Sequence, residues 1–260
     1  MRKLAFTFLL LFSYSVHAQD FIENDEISEL FENAGVDGVF ILYDIQKDSF
    51  TGHNKNRSKV RYIPASTFKI ANSLIGLSVG AVETVDDILP YGGQPQFLKI
   101  WQKDMSLREA IRISNVPIYQ ELARRIGLER MQEAIEKLDY GNATIGHVVD
   151  RFWLAGPLEI SAVEQAKFLA RLAQRRLPLA EDVQNSVIDI LKLEQSDQWI
   201  LYGKSGWTTA PDPDIGWWVG WINRGGNIYT FALNIDVNSD ADVAKRESLT
   251  RAALKILNML

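Results

Sequence analysis

Apolar and polar positions change period twice along this chain. The run Val36 to Ile45 (VDGVFILYDI) is rich in β-branched and aromatic residues and predicts a strand, with Lys47 to His53 following as a turn and the start of a partner strand. Arg61-Tyr62-Ile63-Pro64 reads as extended, because a residue before proline is pushed out of the helical region. From Ser66 the period becomes helical: Phe68, Ile70, Ala71, Leu74, Ile75 and Leu77 recur at helical spacing up to Gly80. Residues 104 to 193 are almost wholly helical in pattern, with amphipathic segments at Arg108 to Ile113, Pro117 to Ile126 and Leu128 to Leu138. Another, Ser161 to Arg175, opens on the capping box Ser161-x-x-Glu164. From Trp199 the strand pattern returns, at Ile200 to Lys204, Ile215 to Asn223 and Ile228 to Val237, and Val243 to Leu260 predicts a closing helix.

Strands at both ends around a helical middle exclude a doubly wound parallel sheet. The short connections of the C-terminal third predict an antiparallel sheet that the N-terminal strands complete. The expected architecture is therefore α+β: a sheet from the two ends of the chain, flanked by helices, with an inserted helical subregion at about 80–193. No repeat, linker or low-complexity tract divides it, so residues 19–260 are expected to form one domain.

Residues 1–18 stand apart. Arg2 and Lys3, the apolar run Leu4 to Phe12 and the small-x-small Val16-His17-Ala18 predict a cleavable signal peptide, with the mature chain starting near Gln19 and export to the periplasm. The apolar run is too short for a spanning helix, which needs about 20 residues. Loss of the two cations takes the net charge from −5 to −7, which argues against nucleic acid or an anionic membrane as partner. There is no cysteine, so thiol nucleophiles, thiolate metal sites and disulfides are excluded. With His17, His53 and His147 as the only histidines, a His-based triad or metal centre has almost nothing to draw on.

Chemistry concentrates elsewhere. In Ser66-Thr67-Phe68-Lys69 the hydroxyl and amine share a helix face. A serine at a helix start also has backbone N–H groups and the helix dipole to favour an oxyanion. The lysine can take the serine proton only if burial suppresses its charge, and Phe68, Ile70 and Ala71 are suitably apolar neighbours. Lys204-Ser205-Gly206, followed by Trp207 and Thr208, ends a predicted strand and offers a cation, a hydroxyl and a closely approaching backbone for a carboxylate-bearing substrate. Between the two lies Ser114-Asn115-Val116, in a break between helices, with Ser114 a candidate proton shuttle. Each tripeptide alone is common; the ordered set is specific.

That set resembles the penicillin-recognising serine acyltransferases. In its wording (Pro64-Ala65-Ser66-Thr67-Phe68-Lys69, Ser114-x-Val116, Tyr140-Gly141-Asn142, Phe152-Trp153-Leu154, Lys204-Ser205-Gly206 and Gly216-Trp217-Trp218-Val219-Gly220-Trp221) it is similar to the class D, oxacillinase-type β-lactamases across roughly residues 35 to 258. The resemblance implies a β-lactamase/transpeptidase-like fold and hydrolysis of penicillin-type antibiotics, hence β-lactam resistance. Ser66 would be the nucleophile. Lys69 would carry CO2 as an N-carboxylated lysine and serve as general base for both acylation and deacylation, with Trp153 donating to the carbamate and no dissociable cofactor or metal. Val116 puts no polar group in competition with the base. The backbone N–H groups of Ser66 and Trp207 match the family's oxyanion hole, and Lys204, Ser205, Gly206, Thr208 and Arg246 its substrate-binding set. Two rivals remain open on the same motifs, a penicillin-binding transpeptidase and a β-lactam sensor, which acylate without rapid turnover. The chain is expected to be a monomer or homodimer.

Other features carry plainer expectations. Trp217, Trp218 and Trp221 are expected in sheet packing, Asp212 and Asp214 in a solvated loop, and His53 and His147 in structural or surface roles.

Overall fold

The computed structural model describes residues 20–260, so the leader and its cleavage point lie outside the described residues. In chain order the elements are β1 (Phe21–Glu23), α1 (Asp25–Ala34), β2 (Gly38–Asp44), β3 (Ser49–His53), β4 (Arg61–Tyr62), α2 (Lys69–Ser78), α3 (Leu107–Arg112), α4 (Val116–Ile126), α5 (Leu128–Leu138) and α6 (Phe152–Ala155). They continue with β5 (Ile160–Ser161), α7 (Ala162–Ala173), α8 (Glu181–Ile190), β6 (Lys192–Gln195), β7 (Trp199–Thr208), β8 (Asp214–Arg224), β9 (Asn227–Val237), α9 (Asp240–Val243) and α10 (Lys245–Ile256).

Seven strands form the main sheet in the order β1-β3-β2-β9-β8-β7-β6. The ends of the chain meet at β2 and β9, paired antiparallel from Gly38 opposite Ile235 to Asp44 opposite Tyr229. One pair departs from the antiparallel expectation: β1 runs parallel to β3 at the sheet edge. Both faces are covered, which explains why the strands read as apolar runs more than as alternation. Val39 and Ile41 of β2, with Trp217 and Val219 of β8, face α7 and the helices beyond it. Their neighbours Phe40 and Leu42, with Trp218, face Ile27 and Phe31 of α1 and Leu249, Ala253 and Leu254 of α10. The tryptophans are thus packing residues, and Trp217 Nε1 donates to the Ile63 carbonyl at 2.9 Å.

The helical subregion is less uniform than its pattern predicts. Residues 80–106 hold one 3₁₀ turn, Lys99–Trp101, and regular helices begin at α3. The two-residue strands β4 and β5 pair with each other and fix the start of α7 beside the Arg61 strand. No helix among the described residues is long and apolar enough to cross a membrane.

Candidate active site

Ser66 sits in a 3₁₀ turn, Ala65–Phe68, that runs directly into α2, where the sequence predicts helix from Ser66 onward. Local hydrogen bonding tightens the turn. Thr67 donates to the Pro64 carbonyl from its N–H at 3.2 Å and from Oγ1 at 2.7 Å, and Gln165 Nε2 of α7 donates to Thr67 Oγ1 at 2.8 Å. Ala65 is held at φ +51°, in the left-handed region that a residue with a Cβ rarely occupies. Such a residue costs about 1–3 kcal/mol and persists only where its surroundings fix it.

The i, i+3 spacing brings Lys69 Nζ to 2.6 Å from Ser66 Oγ. Lys69 is fully buried. Burial, reinforced by the Lys204 charge, drives its amine well below the ordinary lysine range and so favours the uncharged form. The Tyr119 ring lies 5.4 Å from Nζ, and the Tyr119 hydroxyl pairs with Ser73 Oγ, which donates to the Lys69 carbonyl at 2.9 Å. Trp153, at the start of α6, stacks on Phe68 with ring centroids 5.5 Å apart. Its indole N–H is buried and has no hydrogen-bond partner within the protein. A buried donor without an acceptor costs roughly 1–3 kcal/mol, which makes Trp153 Nε1 conspicuous in a packed aromatic cluster.

Lys204 completes the polar centre. Strand β7 does not end at Gly206 as predicted but runs on to Thr208, and β6 pairs with it only as far as Tyr202. Residues Lys204 to Thr208 therefore have a strand on one side only, and the Ser66 turn lies against them. A Cβ at Gly206 would stand 3.1 Å from the Pro64 carbonyl oxygen and 3.3 Å from Thr67 N. Lys204 Nζ donates to Ser114 Oγ at 3.0 Å and to the Ser205 carbonyl at 2.8 Å. Burial, then the charge of Arg246, pushes Lys204 down to about 7. Ser114 itself is at φ +56°, just ahead of Val116 at the start of α4.

The pleat divides the predicted carboxylate-binding set. Lys204 opposes Val219 and Gly206 opposes Trp217, on the face of α7, whereas Ser205 opposes Trp218 on the face of α10. The two faces meet at the open edge, where Lys204 Nζ is 3.5 Å from Ser205 Oγ. Arg246 reaches the same edge: Nη1 donates to the Gly206 carbonyl at 2.5 Å and Nε to the Val243 carbonyl at 2.6 Å. Its stem lies over Gly216, where a Cβ would meet Arg246 Cδ at 2.7 Å. A cavity of about 300 Å³ beside this edge is lined by Arg112, Lys204, Ser205 and Trp218 together with Glu194 and Glu247, and includes neither Ser66 nor Arg246. A larger one of about 560 Å³, against Phe168 and Arg171 of α7, includes none of these residues. The Thr208 hydroxyl donates to the Leu154 carbonyl at 2.6 Å and ties β7 to α6. Trp207 turns its indole to Asp214, 3.0 Å away, so Asp214 holds a strand end where the sequence predicts a solvated loop.

Sequence reasoning missed Asn115, Thr67 and Gln165, all buried beside the motif residues. Asn115 and Thr67 occupy unspecified positions of the Ser-x-Val and Ser-x-x-Lys patterns. Gln165 belongs to α7, and a glutamine on an otherwise apolar helix face is the one signal that points to it. Arg246 and Lys204 together make a cationic pair beside the neutral-leaning Lys69, and no carboxylate is among the groups that shift either lysine. Such a pair suits an anionic ligand presented to the Ser66 hydroxyl.

Comparison with known proteins agrees with this geometry. The family described as penicillin binding protein transpeptidase domain matches residues 37–255. Beta-lactamase OXA-5 of Pseudomonas aeruginosa is 37% identical over 249 residues, covering 95% of this chain and 93% of that protein. Beta-lactamase OXA-48 of Klebsiella pneumoniae is 37% identical over 238 residues, 92% of this chain and 90% of that one. The crystal structure of FUS-1 (OXA-85), a class D beta-lactamase from Fusobacterium nucleatum subsp. polymorphum, superposes with a TM-score of 0.89 at 47% identity, covering 92% of this chain and 99% of that one. A buried Ser-Lys pair, a Lys-Ser-Gly edge strand and this similarity along nearly the whole chain place the protein in the class D serine β-lactamases.

Proposed function

We propose that the protein opens the β-lactam ring of penicillin-type antibiotics through an ester on Ser66, with Lys69 serving as base in N-carboxylated form. The observation that carries this reading is the 2.6 Å contact between Ser66 Oγ and the Nζ of the fully buried Lys69. An uncharged amine is the form that combines with CO2, and the burial of Lys69 favours that form. The buried, unpartnered Trp153 Nε1 is a donor of the kind a carbamate needs. Lys69 Nζ and Trp153 are thus the groups that would hold CO2, and when bound it supplies a carboxylate oxygen able to take up and return a proton.

The chain's own residues account for the remaining work. Lys204 and Arg246 draw the substrate carboxylate to the open edge of β7, Lys204 in its protonated form. Ser66 Oγ loses its proton to the base at Lys69 and attacks the lactam carbonyl carbon. The backbone N–H groups of Ser66 and Trp207 receive the developing oxyanion. Ser114, hydrogen-bonded to Lys204, relays the proton that the base took from Ser66 to the lactam nitrogen as the ring C–N bond breaks, which leaves both Ser114 and the base as they began. The base at Lys69 then takes a proton from a water that attacks the Ser66 ester, and Ser66 Oγ leaves reprotonated. Penicillin hydrolysis of this kind would confer β-lactam resistance on a cell exporting the protein through residues 1–18.

Intact-mass measurement tests the assignment. On mixing with excess penicillin the parent should carry a transient adduct of one substrate mass, located on the Ser66 peptide. Ser66→Ala should carry none, and an adduct on that variant would refute the nucleophile.

A further inference from the structure

We propose that Asn115 is a positioning residue for Ser114, holding in place the hydroxyl that bridges to Lys204. The inference rests on the reading of Ser114 as the proton relay. Ser114 is a non-glycine residue at φ +56°, a conformation its surroundings must fix. The next residue supplies that fixing. Asn115 is fully buried, and its Oδ1 accepts from Ile118 N at 3.1 Å to cap α4. Capping needs only an acceptor, which serine or aspartate supplies equally well. The amide donor is surplus to the cap and is engaged elsewhere: Nδ2 donates to the Trp101 carbonyl at 3.3 Å and lies 3.4 Å from Met105 Sδ.

Two further bonds close the arrangement. Asn115 N donates to the Ala110 carbonyl at 2.8 Å, and Trp101 Nε1 donates to the Ile113 carbonyl at 3.1 Å. Ile113, Ser114 and Asn115 are thus pinned by the end of α3, by the turn Lys99–Trp101 and by the start of α4. Only the Ser114 hydroxyl among them faces Lys204, at 3.0 Å. Loss of the Nδ2 donor frees this segment from the Lys99–Trp101 turn while the cap of α4 survives. The left-handed Ser114 then relaxes and its hydroxyl leaves Lys204.

The test compares Asn115→Ser and Asn115→Asp, both of which keep the cap, with Ser114→Ala and the parent. Turnover is measured per active site titrated by penicillin acylation, alongside KM and the circular dichroism spectrum. The expected result is a fall in kcat of about tenfold or more in both Asn115 variants, with KM within threefold and a native circular dichroism spectrum. Parent-like kcat per titrated site in either folded Asn115 variant, with Ser114→Ala strongly impaired, would overturn the positioning role alone. Parent-like turnover by Ser114→Ala would instead overturn the relay on which it rests.

Discussion

Lys204 lies ninety positions after Ser114 in the chain, yet its Nζ donates to the Ser114 hydroxyl at 3.0 Å. The contact joins an open strand edge to a helix break, and in the proposed mechanism it links the group assigned to the substrate carboxylate to the group assigned as proton relay. A lysine pushed down to about 7 at that point changes its charge near neutral pH.

A pH dependence follows. In the free protein Lys204 passes from cation to neutral amine as pH rises through about 7, so its attraction for the substrate carboxylate is present below that pH and lost above it. For an anionic penicillin kcat/KM should fall from pH 6 to 8.5, approaching tenfold per unit at the alkaline end. A bound carboxylate favours the cation, so the matching limb in kcat lies at higher pH. Steady-state kinetics across that range check this, and a flat kcat/KM would remove Lys204 from substrate capture.

Lys69→Ala should slow acylation by about 10²–10⁴-fold, the usual span of a general base. The ester that does form should persist, visible by intact mass for many minutes. If the lysine works as a carbamate, bicarbonate should restore parent activity lost at mildly acid pH and leave Lys69→Ala unaffected. Normal turnover by the variant contradicts the base assignment.

Trp153→Phe keeps a ring against Phe68 and deletes the unpartnered N–H. Removing a buried donor without an acceptor should leave Tm in CO2-depleted buffer unchanged or higher. Activity should fall by about 10²-fold, with more bicarbonate needed for half-maximal rate. Parent-like activity and bicarbonate response would show that the indole holds nothing.

Gly206→Ala places a Cβ 3.1 Å from the Pro64 carbonyl oxygen and from Thr67 Cγ2, in the seam between β7 and the Ser66 turn. The seam must then open by a few tenths of an ångström, and since a full 1 Å misplacement costs about 10² in rate, the loss here should be about tenfold. The expected result is that loss in kcat/KM with a native circular dichroism spectrum; activity within twofold of the parent would mean the seam tolerates the shift.

How legible this was from sequence depended on the length of the interactions involved. Helix α5 runs from Leu128 to Leu138 as its period predicts, because Met131, Ile135 and Leu138 bury a single stripe. Helix α1 was hidden in a polar stretch, since only Ile27 and Phe31 of its ten residues are buried. The end of β7 was placed short because Ser205 and Gly206 interrupt its strand signal, whereas its full pairing with β8 carries it to Thr208. Ser66, Lys69, Ser114 and Lys204 were visible as motif letters. Asn115, Thr67 and Gln165 were not: Asn115 donates to a carbonyl of the Lys99–Trp101 turn, and Gln165 donates to the Thr67 hydroxyl, which lies 98 positions earlier and itself donates back into the turn at Pro64. The division of Lys204 from Ser205 by the sheet was implicit in strand alternation and became apparent only with the pairing register.

The central claim is that Ser66 and Lys69 together acylate and deacylate. It is tested most directly by the loss of lactam absorbance, with a penicillin in large molar excess over the purified protein and bicarbonate present. Sustained hydrolysis through many equivalents is the predicted result. A halt after about one equivalent would mean acylation without release, and the pair would then belong to a β-lactam sensor or a transpeptidase.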